Sequence, residues 1–231
     1  MKRTALALLI TAGVIHCGTD NVVVQPLANP VADGGKVEGG IDLPPPPAPP
    51  ENCDLKKLPT ENPCVIHESS GVFVSATKGS DDGLGTRERP LKDISKAILG
   101  ASTTGRRVYV CAETYEAQLT LGEGIDVFGY FDCSAATWKV IDARAKVAPK
   151  DGVAAMAKNI GKPTRIEALD IVAADGKAAG DSSIGLVAQD SGGLSFVNTR
   201  IAAGKGRDGT DGAVGVQLSA AATVNGADGY A

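Results

Sequence analysis

The sequence predicts an all-β fold, a parallel β-helix closed at its N-terminal end by one amphipathic α-helix. Two observations predict it: short apolar runs separated by turn-forming residues, and an internal repeat. Runs of three to five apolar residues with Gly, Asp, Ser or Asn between them are typical of strands rather than helices. Such runs occupy residues 72–74, 108–111, 125–128, 184–187 and 194–197.

The repeat has an offset of 30 residues, which places Ile171 on Ile201 and Gly185 on Gly215. The other matches are Ala173 on Ala203, Gly176 on Gly206, Ile184 on Val214, Leu186 on Val216 and Leu194 on Val224, with Ile141 and Ala143 beginning an earlier copy. Repeats of this length indicate a solenoid, and strand repeats with small corner residues indicate a parallel β-helix. A β-sandwich, the alternative, would explain the short strands but not the fixed offset.

Residues 1–16 have the pattern of a signal peptide, because Lys2 and Arg3 precede an apolar run at 5–15. That run is too short for a membrane span, which needs about 20 residues. Residues 14–17 resemble the bacterial lipobox, so Cys17 is the predicted lipid attachment site, carrying palmitate or a related acyl chain. His16 departs from the lipobox, which has Gly, Ala or Ser there. Gly18, in place of Asp, implies sorting to the outer membrane.

Residues 17–51 are predicted to form a disordered, lipid-anchored tether, since they show no helical or strand period. The proline run at 44–50 should form a stiff polyproline segment, about 20 Å long at ~3.1 Å per residue. The predicted location is therefore the outer membrane or cell surface, and the alternative is a secreted protein without lipid. The net charge of −4 argues against nucleic acid and anionic lipid as partners.

Four cysteines remain after Cys17: Cys53, Cys64, Cys111 and Cys133. An even number in an exported chain predicts two disulfides, for which three connectivities exist. Nearest-neighbour pairing is the prediction, since it gives one staple in a segment at 52–70 and another across two successive strands. A four-cysteine zinc site is the rival interpretation, but the chain has no Cys-x-x-Cys pair.

The β-helix is expected to occupy residues 71–231, with its capping helix at about 91–101. Leu91, Ile94 and Ile98 fall on one helical face. Pro90 at the first helical position and Asp93 in the first turn both favour a helix start there. The far end has no closing element after residues 229–231, so the chain is expected to be truncated or to meet a partner there.

Residues 71–133 resemble the N-terminal part of pectin-lyase-like right-handed β-helix proteins of bacterial surface lipoproteins. The resemblance rests on the segments 71–75, 79–86, 90–91, 108–110, 114–115 and 129–133. It implies a right-handed solenoid in which Leu91, Ile94 and Ile98 cap the open end. That family includes polysaccharide lyases, glycoside hydrolases and proteins without catalysis, so the fold alone does not decide the function.

Catalytic and metal-binding patterns are weak in this sequence. Asp142, Asp170, Asp175 and Asp190 are candidate acids, but each borders a turn, where Asp is common for structural reasons. His67 precedes the first predicted strand and is expected to face solvent. No cofactor is predicted, and Asp208 and Asp211, in a glycine-rich stretch expected to form a flexible loop, are weak calcium candidates.

An aromatic group surrounds Cys133 and could form a sugar-binding platform, although packing of the first turn against the capping helix is the simpler explanation. Its members are Phe128, Tyr130, Phe131 and Trp138. The predicted function is therefore a non-enzymatic envelope lipoprotein for adhesion, structure or contact with polysaccharide or envelope proteins. The alternatives are the N-terminal part of a carbohydrate-active enzyme and a secreted protein-binding β-helix.

Overall fold

The computed structural model describes residues 41 and 43–215, where the regular structure is almost entirely β-strand. The one α-helix of this part of the chain, α1, spans Ile94–Ser102, and a 3-10 turn spans Pro63–Val65. The strands are β1 (Gly71–Val74), β2 (Arg107–Cys111), β3 (Thr114–Tyr115), β4 (Leu119–Leu121), β5 (Val127–Asp132), β6 (Lys139–Val140), β7 (Ala145–Val147), β8 (Val153–Lys158), β9 (Thr164–Glu167), β10 (Leu169–Val172), β11 (Ile184–Gln189), β12 (Leu194–Val197) and β13 (Arg200–Ala202). Within the described ranges, no helix has the length and apolar character needed to cross a membrane.

The strands form three sheets. Sheet A has the order β1-β2-β5-β9-β12, sheet B the order β13-β10-β7-β3, and sheet C the order β11-β8-β4. All these neighbours are parallel, while β6 pairs with β5 antiparallel. The trios β2-β3-β4, β5-β7-β8 and β9-β10-β11 each supply one strand to sheets A, B and C in that order. The predicted all-β fold with parallel strands is confirmed.

In the last described strands of sheets A and B, residues that are 30 positions apart in the sequence pair on neighbouring strands. Asp170 pairs with Arg200 in sheet B, and Thr164 pairs with Leu194 in sheet A. Sheet C slips by one residue, because Ile184 pairs with Val153. The later copy is only partly described: Val216 and Val224 lie outside the described residues.

The earlier copy predicted at Ile141 and Ala143 is wrong. Ile171 pairs with Val147 instead. The reason is an excursion after β5 that folds back on that strand as β6, and the Ile141 amide donates to the Tyr130 carbonyl (2.9 Å). This excursion places Trp138 against the outer face of sheet A, where the side chain is buried.

Sheet A is buried on both faces over its first three strands. Its inward side chains, such as Val72 and Val108, join an aliphatic core to which all three sheets and α1 contribute. Its outward side chains, such as Phe73, Tyr109 and Phe128, join a separate aromatic cluster. Strands that are covered on both faces have continuous apolar sequences. Strand β1 is such a strand, since all four of its residues are buried.

The predicted helix start at Pro90 and Leu91 is wrong. Helix α1 begins at Ile94 because Asp93 is its N-cap, with a carboxylate oxygen accepting from the Lys96 amide at 2.8 Å. Leu91 instead forms a bridge with Val74 beside β1. The apolar face of α1 packs on β1, β2 and β4.

Ser95 of α1 closes the edge of sheet C. Its hydroxyl accepts a hydrogen bond from the Thr120 amide (2.9 Å) and donates to the Gln118 carbonyl (3.0 Å). Strand β4 is the edge strand at this end, and exposed strand edges invite unwanted pairing. The Ser95 hydroxyl therefore supplies part of the hydrogen bonding that a neighbouring strand would provide.

The outer aromatic face of sheet A is covered by residues 52–70, called the staple segment below. Arg107 donates to the carbonyls of Lys57 (2.5 Å) and Lys56 (3.1 Å), and the Tyr109 hydroxyl donates to the Val65 carbonyl (2.8 Å). The side chain of Ile66 is buried in the aromatic cluster. Backbone acceptors and apolar side chains thus hold this segment on the sheet.

Both predicted cysteine pairs are present. Cys53 and Cys64 are joined within the staple segment, with Cα atoms 5.9 Å apart. Cys111, at the end of β2, is joined to Cys133, just after β5, with Cα atoms 5.8 Å apart. The first bridge closes a short loop, and the second ties two neighbouring strands of sheet A.

The end of the predicted tether contacts the folded part. Leu43 is half-buried and packs against the aliphatic core. A Cβ on Gly100 of α1 would lie 2.6 Å from the Leu43 Cδ1 atom. The prolines that follow form no regular element and are mostly exposed. The predicted signal peptide and Cys17 lie outside the described residues.

Gly129 of β5 should tolerate no side chain. A Cβ there would lie 2.3 Å from the Ala168 carbonyl oxygen, so Gly129→Ala should lower the free energy of unfolding by about 1–3 kcal/mol. Urea denaturation measures the change. Gly192→Ala is the matched control, because nothing lies within 4 Å of its added Cβ. Equal stability of the two variants would contradict this packing.

Acid should weaken the attachment of the staple segment through Glu68, which pairs with Arg87 (Nε to Oε1, 2.8 Å). Burial raises the pKa of Glu68, but the Arg87 hydrogen bond and charge, with backbone donors, outweigh burial and hold that pKa below 4.5. A lowered pKa in the folded state gives stability that is present at neutral pH and is lost as the pH falls below about 4.5.

The measurement is the difference in free energy of unfolding between the wild type and Glu68→Gln at pH 7 and pH 3. That difference should shrink at pH 3, because the wild-type carboxyl loses the stabilising effect of its lowered pKa as the pH falls toward that pKa. Glu88→Gln, at an exposed position, should show no such pH dependence. A constant difference for Glu68→Gln would count against the ion pair.

Candidate functional site

A groove of about 480 Å³ lies where the start of α1 meets β3 and β4; it is called the cap groove below. Its floor is apolar and its rim is polar. The floor residues are Ala76, Ile94, Tyr115, Leu119 and Val147, and the rim residues include Asp81, Lys92, Asp93, Ser95, Glu116 and Gln118.

The floor is rigid because its side chains belong to the core. Ile94, Leu119 and Val147 are at most 4% exposed. The Tyr115 hydroxyl donates to the carbonyls of Val74 and Cys111, each at 3.2 Å, so it is engaged within the protein. Burial raises the pKa of Tyr115 far above its ordinary value. Tyr115 is therefore a neutral, fixed wall rather than an acid or base.

The rim carboxylates are held by neighbouring lysines or by the helix. Asp81 pairs with Lys96 at 3.2 Å, and Glu116 pairs with Lys150 at 2.7 Å. The Glu116 hydrogen bond and charge raise the pKa of Lys150. Exposed pairs of this kind add little stability. Their effect at the groove is to orient carboxylate oxygens that still have acceptor capacity.

Gln118 provides a further oriented group at the rim. Its side-chain amide nitrogen donates to the Val153 carbonyl of β8 at 2.7 Å. The amide group is thereby held by sheet C.

The residues of the groove suit a small ligand, or one unit of a polymer, that is rich in hydroxyl groups. Ligand pockets of about 300–1,000 Å³ typically combine apolar walls with a few polar groups that fix orientation. Carboxylate oxygens accept hydrogen bonds from hydroxyl or ammonium donors. Three carboxylates in the lining supply acceptors for such donors. A neutral or amino sugar fits both the apolar floor and the acceptor rim.

The acids singled out in the sequence do not assemble into a site. Asp170 pairs with Arg200 (3.3 Å) and Arg144 (3.7 Å). Asp175 accepts from the Lys205 amide at 2.7 Å. Asp142 and Asp190 are exposed. Across residues 41 and 43–215, no group of three or more His, Cys, Asp or Glu side chains is placed to hold a metal ion.

Asp208 and Asp211, the weak calcium candidates, are exposed in a stretch without regular structure. The stretch was expected to bulge freely, but its first residues stack on the loop before β11. The Gly180 amide donates to the Asp208 carbonyl (2.9 Å), and the Arg207 amide donates to the Asp181 carbonyl (2.9 Å). The loops of successive turns therefore pair through backbone groups, but these pairs do not keep the 30-residue register.

The aromatic group near Cys133 is core rather than a binding platform. Its four members are at most 6% exposed, and they pack beneath the staple segment. The expected contact with the capping helix is wrong, because α1 packs on the opposite, inward side of sheet A. His67 is also not solvent-facing: it is half-buried, and its Nδ1 accepts from the Ser69 amide at 3.2 Å.

The comparisons with known proteins give no family. The scan against family models found no match, and neither the curated proteins nor the solved structures gave one.

The residues of the cap groove escaped sequence reasoning. Asp81 and Glu116 lie far apart in the chain, and each looks like an ordinary turn or loop residue. The packing of α1 on β4 places both at the rim of one groove, and the sequence has no local signal for that packing.

Proposed function

We propose that this chain is an exported, lipid-anchored, non-enzymatic protein of the bacterial envelope that contacts polysaccharide through the cap groove. In this proposal a right-handed parallel β-helix presents the groove, and Cys17 anchors the chain to the outer membrane. The observation that carries the proposal is the combination of a rigid apolar floor with an oriented acceptor rim.

The order of the strands supports the β-helix. Three successive trios pass through sheets A, B and C in the same order, as in a chain that coils around one core. Connections between parallel strands of one sheet are right-handed in nearly all proteins, which favours the right-handed form. Helix α1, which packs on β1, β2 and β4, would serve as the terminal cap that solenoids require.

Polysaccharide is the ligand class that best suits the cap groove. A sugar ring has an apolar face of C–H groups that can lie on Leu119 and Ile94. Its hydroxyls can donate to Asp81 and Glu116, which the lysine pairs already orient. Pre-ordered groups lose less conformational entropy on binding.

A binding role is favoured over catalysis because the candidate acids are already engaged in contacts within the protein. Asp170 forms ion pairs with two arginines, and Asp175 accepts a hydrogen bond from a loop amide. The rim carboxylates of the cap groove are likewise paired with lysines or used as a helix cap. Groups engaged in this way suit positioning of a ligand rather than proton transfer.

The anchor follows from the resemblance of residues 14–17 to the lipobox and from the proline run at 44–50. Metabolic labelling with palmitate in a bacterial host should therefore mark the wild-type chain, and Cys17→Ser should abolish the label. Cys53→Ser should keep the label, since Cys53 belongs to a disulfide. Label retained in Cys17→Ser, or absent from the wild type, would rule out the anchor.

Binding to polysaccharide should depend on the rim of the cap groove. The purified full chain is expected to bind neutral or amino-sugar polymers on a glycan array. The double variant Asp81→Asn, Glu116→Gln should weaken that binding about tenfold or more, because hydrogen bonds to charged acceptors contribute about 1.5–3 kcal/mol each. Calorimetry with the best array ligand gives the dissociation constants.

Glu88→Gln is the matched control, since Glu88 is exposed and is not part of the groove lining. It should bind like the wild type. Circular dichroism should show the same fold for all variants. Binding that is unaffected by the double variant would exclude the cap groove as the site, and no binding to any sugar polymer would exclude this function.

A further inference from the structure

The outer face of sheet B carries a column of charged side chains set by the strand register. Lys146 of β7 lies beside Asp170 of β10, which lies beside Arg200 of β13. Lys146 and Arg200 are exposed, and the Asp170 side chain is 25% exposed. Neighbouring strands lie about 4.8 Å apart, so the backbones of the two cations are separated by roughly 10 Å.

A second arginine, Arg144, also contacts the carboxylate of Asp170. Arg144 forms an ion pair with Asp170 at 3.7 Å, and its Nε and Nη2 donate to the Asn198 side-chain oxygen at 3.2 and 2.5 Å. Arg144 is therefore held in place beside the carboxylate, which Arg200 also contacts. Among the described residues the column thus sets three cations, Arg144, Lys146 and Arg200, against one carboxylate, an excess of two positive charges.

Arg200 is oriented but still has donors to offer. Its Nε donates to Asp170 at 3.3 Å. This contact uses the Nε–H of the guanidinium, and the two terminal nitrogens carry four further N–H donors. Lys146, with its long flexible side chain, can reach toward the same point from two strands away.

We propose that this column binds phosphate monoester groups on a sugar polymer. A phosphate monoester carries nearly two negative charges and three acceptor oxygens, enough to accept from Arg200 and Lys146 together. A carboxylate carries one charge, which one arginine satisfies. The column borders the cap groove, because Lys146 pairs with Thr114, which lines the groove. The carboxylate rim of the groove suits uncharged sugars, so the two sites would bind different parts of an envelope polymer. The choice of a sugar polymer as carrier rests on the proposed function.

The test uses the full chain and phosphorylated dextran, with unmodified dextran, sulfated dextran and phosphatidic-acid vesicles as separate arms of a calorimetric titration. Phosphorylated dextran should bind more tightly than the other three, and its affinity should fall with added salt. Arg200→Gln and Lys146→Gln should each weaken it about tenfold, as expected for loss of one charge-assisted contact.

Lys158→Gln is the control, because it removes the same charge from an exposed position on sheet C. It should bind like the wild type. An equal loss in Lys158→Gln, no binding of phosphorylated dextran, or preference for vesicles or sulfated dextran would overturn the proposal. The cap-groove variants should leave this binding unchanged, so failure of either site is seen separately.

Discussion

Sheet A needs cover on both faces, and most of the described structure is arranged to provide it. On the inner side, the valines of β1, β2 and β5 pack with sheets B and C and with α1. On the outer side, Phe73, Tyr109 and Phe128 are covered by the staple segment and by the excursion that carries Trp138. Burying one such side chain contributes about 1.5–3 kcal/mol, so losing either cover would expose several at once.

The other constraint is the free edge at the start of each parallel sheet. Helix α1 meets it at sheet C through the Ser95 hydroxyl, while the residues before α1 lie beside β1. The start of α1, together with β3 and β4, leaves the cap groove. The candidate site is thus a consequence of how these sheet edges are closed. Its rim is polar because these closing segments face solvent.

The candidate site could be predicted from the sequence only in fragments. Asp93 was visible as a residue favouring a helix start, but its role as N-cap rather than first-turn residue depends on where the backbone turns. Glu116 gave no signal, because its partner Lys150 lies in the following turn. The acids that were singled out border turns in the sequence, but Asp170 lies in β10 and is paired with Arg200 of β13 and with Arg144, which precedes β7.

The sequence by itself determined the all-β class, the parallel strands, the nearest-neighbour cysteine pairs and the 30-residue register at Ile171 and Ile201. Each of these features depends on spacing along the sequence. Short apolar runs predict the strands, repeated residues predict the register, and the number and order of the cysteines predict the pairs. Only the tertiary structure decided that Ile171 pairs with Val147 and that the aromatic side chains lie under the staple segment. It also decided that Asp81 and Glu116 share a groove. These depend on excursions and closing segments of irregular length, whose positions are fixed by packing on both faces of sheet A.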